Sequence, residues 1–148
     1  ILFGNGGSAA DAQHIAAEFI GRFKKDRTAL AAISLTTNTS VLTSLANDYG
    51  YDVVFAKQVE ALGQKNDIAI GISTSGKAKN VALGIKQAKK NGLKTIAFTG
   101  GDGGEIAKLA DVSFIVNSSV TARIQEAHII VGHIICELVE QTLCQEQK

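Results

Sequence analysis

Short apolar runs alternate along the chain with stretches in which apolar residues recur every three or four positions. The runs predict strands at residues 1–3, 31–34, 67–72, 94–99 and 112–116. The periodic stretches predict helices at 9–23, 41–47, 52–62, 78–91, 105–109 and 122–143. The run Ile68-Ala69-Ile70-Gly71-Ile72 has no polar position, the pattern of a strand covered on both faces. Strand–helix alternation then predicts an α/β fold: a doubly wound, five-stranded parallel sheet flanked by helices, a flavodoxin-like three-layer arrangement. In such a sheet ligands bind beyond the carboxyl ends of the strands. The loops that follow strands are therefore where chemistry is sought.

Three loops qualify. Gly4-Asn5-Gly6-Gly7-Ser8 follows the first strand, and its glycines permit tight turns and close backbone approach to a ligand. Ser8 and Asp11 have the spacing of a capping box, which marks a helix N-terminus where exposed N–H groups favour an anion. Ser73-Thr74-Ser75-Gly76 follows the strongest strand. Capping one helix needs one hydroxyl, whereas three in a row suit the oxygens of a phosphate. Neither loop has the spacing of a Walker loop or of the dinucleotide fingerprint. The third loop, residues 100–104, reads as a turn between a strand and a short helix.

Composition narrows the class. The 148 residues suit one compact domain, and 45% hydrophobic content excludes a disordered chain. A net charge of +1 gives no reason to expect nucleic-acid or membrane binding. Cys136 and Cys144 fall in one predicted helix, roughly 12 Å apart along its axis, too far for a bridge within that helix. A reduced, cytoplasmic protein is expected. The chain opens inside a strand and contains no Met, so upstream residues are expected to belong to the same protein.

Two groups of titratable residues stand out. His14 and Glu18 are four apart on the first helix and share a face. That helix begins at the Gly-rich loop, so the pair is near any ligand held there, as acid and base or as metal ligands. The last helix carries Arg123, Gln125, Glu126, His128 and His133. His133 lies in an apolar run, where a histidine is more often a satisfied buried residue. Gln125 and His133 are roughly 12 Å apart along the helix and about 80° apart around it. Both can touch one substrate, but one metal is a stretch.

In order along the chain come Gly4-Asn5-Gly6-Gly7-Ser8, then Asp11-Ala12-Gln13-His14 to Glu18, and Gly21-Arg22-Phe23. Next are Asn47-Asp48-Tyr49-Gly50, Gly71-Ile72-Ser73-Thr74-Ser75-Gly76 and Ala122-Arg123-Ile124-Gln125-Glu126, followed by His128 and His133. Together they resemble the SIS (sugar isomerase) domain family, in its phosphoheptose isomerase branch, over essentially the whole chain. The resemblance implies one SIS domain over residues 1–148, lacking the family's N-terminal helical segment. It implies conversion of D-sedoheptulose 7-phosphate to D-glycero-D-manno-heptose 7-phosphate, the first step of nucleotide-activated heptose synthesis. It also implies a homotetramer and one zinc ion per subunit. By position it implies metal ligands His14, Glu18, Gln125 and His133, and a catalytic pair Glu18 and His133. Substrate contacts would come from Asn5, Gly6, Gly7, Ser8, Glu18, Asn47, Asp48, Ser73, Thr74, Ser75 and Gln125.

Two positions depart from the pattern. The family often has a further Ser where this chain has Ala78, which would weaken phosphate binding, and some members have Asp at Ala122. A non-catalytic branch that binds the bacterial replication initiator lacks the Glu and His that stand here as Glu18 and His133. The Ala-Arg-Ile-Gln-Glu helix argues against an isomerase or a sensor of another sugar phosphate. The last helix is apolar around most of its circumference, which calls for a second subunit as cover. With Gln125 and His133 so far apart, the active site is expected at a subunit interface, joining His14 and Glu18 of one chain to a final-helix residue of another.

Overall fold

The computed structural model describes residues 1–143. Cys144, and with it the expected spacing of the two cysteines, lies outside the described residues. Four parallel strands form one sheet in the order β1 (Leu2–Gly4), β2 (Ile68–Ser73), β3 (Lys94–Gly100) and β4 (Val112–Val116). The helices are α1 (Gly7–Ile20), α2 (Thr39–Tyr49), α3 (Val54–Leu62), α4 (Lys79–Lys90), α5 (Gly104–Leu109) and α6 (Thr121–Leu143). A single 3-10 turn, Tyr51–Val53, joins α2 to α3.

The fifth expected strand is reduced to a bridge. Only Ser34 pairs with β1, opposite Leu2, through Leu2 N–H to the Ile33 carbonyl (2.8 Å) and Leu35 N–H to the Leu2 carbonyl (2.9 Å). Just upstream, Leu30 N–H is held by the Phe19 carbonyl at the end of α1 (3.0 Å), which draws residues 31–32 off the sheet edge. The topology is otherwise the expected one. The chain leaves β1 towards residues 31–34 on one side, then crosses to β2 on the other. The direction of winding therefore reverses between β1 and β2, and this is where an open α/β sheet has its crevice.

Side-chain alternation along the strands divides the core in two. Phe3, Ala69 and Ala97 face α3, α4 and α5 together with Val54, Phe55, Val59, Val81, Ile85 and Ile106. Leu2, Ile70, Ile72 and Phe98 face α1 and α6 together with Ala12, Ile15, Ala16 and Cys136. Burial in this second layer pushes the Cys136 thiol up to about 11, so it stays an unreactive core residue. Among the described residues no helix is long and apolar enough to cross a membrane.

Two glycines set how closely helices approach. A Cβ on Gly132 of α6 would come within 2.6 Å of the Ile15 side chain of α1, and one on Gly84 of α4 within 2.6 Å of the Phe3 ring. Gly84→Ala is expected to lower the free energy of unfolding by roughly 1–3 kcal/mol through overpacking. Denaturant unfolding measures it, and wild-type stability would contradict so close a contact between α4 and β1.

Candidate active site

The loop after β1 enters α1 two residues earlier than a Ser8 cap requires. Gly6 is the N-cap, with φ 56° and ψ −121°, a conformation open to glycine. The helix begins at Gly7, and no side chain caps it. The expected Ser8–Asp11 capping box is therefore absent. Ser8 is buried inside the first turn, with its Cβ position against Gly4. Asp11 leaves Oδ2 buried with no partner, and that burial raises its carboxyl above the ordinary range, against the pull of His128 and His14.

Asn5 meets a residue the sequence did not single out. Its amide exchanges two hydrogen bonds with buried Asn80, Asn5 Nδ2 to Asn80 Oδ1 and Asn80 Nδ2 to Asn5 Oδ1, both 2.9 Å. Asn80 Oδ1 also accepts from Val81 N–H (2.9 Å), and Tyr51 donates its hydroxyl to Asn5 Oδ1 (3.3 Å). This amide pair ties the Gly-rich loop to the start of α4 across the crevice. The signal for Asn80 was weak in the sequence: one Asn in the first turn of a helix.

Ser73, Thr74 and Ser75 stand at the carboxyl end of β2, passing from buried to exposed in that order. None caps α4, whose N-cap is Ala78 without a side-chain bond. Ser75 Oγ accepts from Lys77 N–H (3.2 Å). The third loop buttresses this one. Ile106 N–H donates to the Gly76 carbonyl (3.1 Å), and Gly76 packs on the backbone of Gly103 and Gly104, with no room for a Cβ. Asn47 and Asp48 are exposed at the end of α2, bonded to each other (2.9 Å), and the turn after them reaches Asn5 through Tyr51.

On the other side, α6 runs alongside α1 in the same direction. The Gln125 amide lies over Gly7, where any Cβ would collide with it. About two turns on, His133 Nε2 is 3.1 Å from His14 Nε2, and His14 Nε2 is 3.1 Å from Glu18 Oε1. The donor atoms of His14, Glu18 and His133 all lie within 4.8 Å of one another. These three groups meet within a single chain. One chain thus already joins His14 and Glu18 to a final-helix residue, because the eight residues from Gln125 to His133 run beside the seven of α1 from Gly7 to His14. Gln125 stands at the loop end of the site, against Gly7.

The buried histidine of α6 is His128, not His133. Its Nε2 donates to the Thr99 carbonyl (3.0 Å), and its ring packs near Phe98 and Phe114. Burial holds it below the ordinary histidine value, with the Thr99 bond and Asp11 pulling the other way.

The profile of the SIS domain family matches residues 1–100. The phosphoheptose isomerase of Aquifex aeolicus is 60% identical over 145 residues, covering 98% of this chain and 76% of that protein. The solved structure of phosphoheptose isomerase GmhA from Neisseria gonorrhoeae matches with a TM-score of 0.88 at 50% identity, over 95% of this chain and 75% of that one. A phosphoheptose isomerase structure from Francisella tularensis matches with a TM-score of 0.90 at 38% identity, over the same shares.

His128 makes a pH prediction. Its folded-state value is lowered, so the unfolded chain takes up the proton first as pH falls through about 6.5. Stability should therefore decline from that point down to the lowered folded value. Melting temperatures measured from pH 7.5 to 5.5 should fall less steeply in His128→Gln than in the wild type. Equal slopes would remove His128 as the cause.

Proposed function

The chain belongs to the phosphoheptose isomerases of the SIS domain family, and on that premise we propose that it interconverts D-sedoheptulose 7-phosphate and D-glycero-D-manno-heptose 7-phosphate. The observation that carries the reading is the meeting of His14, Glu18 and His133 between α1 and α6, on the helix that springs from the crevice loop. The reaction moves a proton between C1 and C2 of the sugar through an enediol. Glu18 is the base that takes the carbon-bound proton on its carboxylate. His133 is the acid that serves the carbonyl oxygen from its ring nitrogen, and the roles exchange along the path. Each such group contributes about 10²–10⁴-fold in rate.

The sugar's phosphate binds the hydroxyls of Ser73, Thr74 and Ser75, with the Gly6–Gly7 backbone and Ser8 lining the floor. Asn5, Asn47, Asp48 and Gln125 hold the sugar hydroxyls between the two ends. Anchoring the phosphate away from the reacting carbons positions them for proton transfer. The Asn80 amide pair holds Asn5 in place for this work.

Two imidazole nitrogens and a carboxylate oxygen converging on one point form a zinc donor set. His14, Glu18 and His133 would each hold the ion through one atom, with Gln125 as the proposed fourth ligand, which would leave the second oxygen of Glu18 and the second ring nitrogen of His133 for proton transfer. A zinc ion there would polarise the carbonyl and stabilise enediolate charge. The buried free thiol of Cys136 suits a reducing compartment, and the cytoplasm is the proposed location. The whole chain is read as one SIS domain.

Assembly follows from α6. Ile130, Ile134 and Leu138 recur every four residues and are 57%, 48% and 55% exposed, while Ile129, Val131 and Ile135 pack inwards. The outward stripe is the proposed contact between copies in a homotetramer, which places the sites near subunit interfaces. Ile134→Glu should yield smaller particles in sedimentation analysis, and an unchanged mass would remove this face from the interface.

A turnover assay with sedoheptulose 7-phosphate, with and without added zinc, tests the chemistry. Glu18→Gln and His133→Ala should each lose about 10²–10⁴-fold in kcat, while Ser75→Ala should raise KM more than it lowers kcat. Wild-type rates in either of the first two variants would remove that residue from the mechanism.

A further inference from the structure

Glu140 lies seven residues beyond His133 on α6, two turns further along nearly the same face. It is 2% exposed, and both its oxygens are fully engaged. Oε1 accepts from Phe23 N–H (3.2 Å) and from Arg27 Nε (3.1 Å). Oε2 accepts from Lys24 N–H (2.9 Å) and Lys25 N–H (3.0 Å). Burial pushes the carboxyl towards protonation, but these donors outweigh it and hold Glu140 below the ordinary carboxylate range. Charge-assisted bonds of this kind are the strong ones.

Arg27 carries the tether to α1. Its side chain is 3% exposed. Nη1 donates to the Phe19 (2.9 Å), Gly21 (3.3 Å) and Thr28 (3.2 Å) carbonyls, and Nη2 to the Glu18 carbonyl (2.8 Å). Carbonyls at a helix C-terminus lack partners within the helix, and a guanidinium fork supplies them. The result is a strap, residues 21–28, with no helix or strand of its own, closed against α6 by a buried ion pair.

The strap delivers one side chain to the active site. Phe23 lies with its ring 5.5 Å from that of His133, the planes 33° apart. On its other flank His133 meets His14, with ring centroids 5.0 Å apart. The imidazole is thus held between an aromatic wall and the group it works with. Phe23 also packs against the core layer beneath α1 and α6, which fixes its ring on the side away from His133.

The geometry points to Glu140 as a positioning residue for the isomerase: through Arg27 and the strap backbone it sets Phe23 against His133 and fixes the orientation of that imidazole. Glu140 touches no substrate and acts through Phe23. The inference rests on the reading of His133 as a reacting group, and its test separates the two.

Full-length Glu140→Gln, Phe23→Leu and the double variant are compared with the wild type. The readouts are kcat, KM for sedoheptulose 7-phosphate, melting temperature, and the His133 ring-nitrogen signals in ¹⁵N-histidine-labelled protein. Phe23→Leu leaves the ion pair in place and is expected to keep the wild-type melting temperature. It should lose about 10–100-fold in kcat, as groups that orient a working histidine do, and its His133 signals should shift. Glu140→Gln should show the same kcat loss and signal shift. The double variant should be no slower than the slower single, because both changes break one linkage.

Wild-type His133 signals and kcat in Phe23→Leu would overturn the inference, including when Glu140→Gln fails to fold. So would a folded Glu140→Gln that loses only thermal stability. A fully active His133→Ala overturns the catalytic reading of the site instead, in a different measurement from the ring-nitrogen signals that decide positioning.

Discussion

The contact between α1 and α6 organises everything the site does. Gly132 has no side chain, and Ile15 occupies the space a Cβ would take. The two helices therefore lie close and run in the same direction, with their contacts in step. Gln125 lies over Gly7, His133 meets His14, and Glu140 meets Phe23; for the last two pairs the separation in sequence is 119 and 117 residues. A larger residue at 132 would wedge the helices apart, and each of these pairings depends on side chains only a few bonds long.

The same contact divides labour along the helix pair. At the start of α1 the backbone is glycine-rich and opens onto the crevice between β1 and β2. Two turns on, the polar side chains of His14, Glu18 and His133 converge. At the far end the Glu140–Arg27 ion pair is buried and finishes α1. The proposed anion binding and proton transfer, and the mechanical closure, thus fall on successive stretches of one interface. A phosphate anchored at one end leaves the reacting carbons within reach of groups further along, and such positioning is where much catalytic power originates.

On the opposite side of the sheet, the Asn5–Asn80 amide pair plays the corresponding part for the crevice. It spans 75 residues of sequence and fastens the Gly-rich loop to the start of α4. The third loop supports the Ser73–Ser75 turn through the Gly76 backbone. The loops proposed to meet the ligand are therefore short, glycine-rich and cross-braced, which would leave little ordering to be done on binding.

By itself the sequence determined the class of fold, the places of most of its elements and the loops at the strand ends to which the chemistry is assigned. Those follow from periodicity and from residue types whose preferences are local: the unbroken apolar run of β2, the glycines after β1, the three hydroxyls after β2. His14 and Glu18 were legible as a pair because helix geometry alone sets residues four apart together. What lay between elements was not legible. The residues 31–34 have the composition of a strand, yet pair only at Ser34 because Leu30 is held by Phe19. Ser8 has the spacing of a cap, yet Gly6 starts the helix first. Which histidine of α6 is buried depends on the sheet beneath it, and Phe98 and Phe114 receive His128. The meeting of His133 with His14 was hidden for the same reason. Helical periodicity fixes distances along one helix, whereas the alignment of two helices is set by a packing contact, here Gly132 on Ile15, that no local pattern encodes.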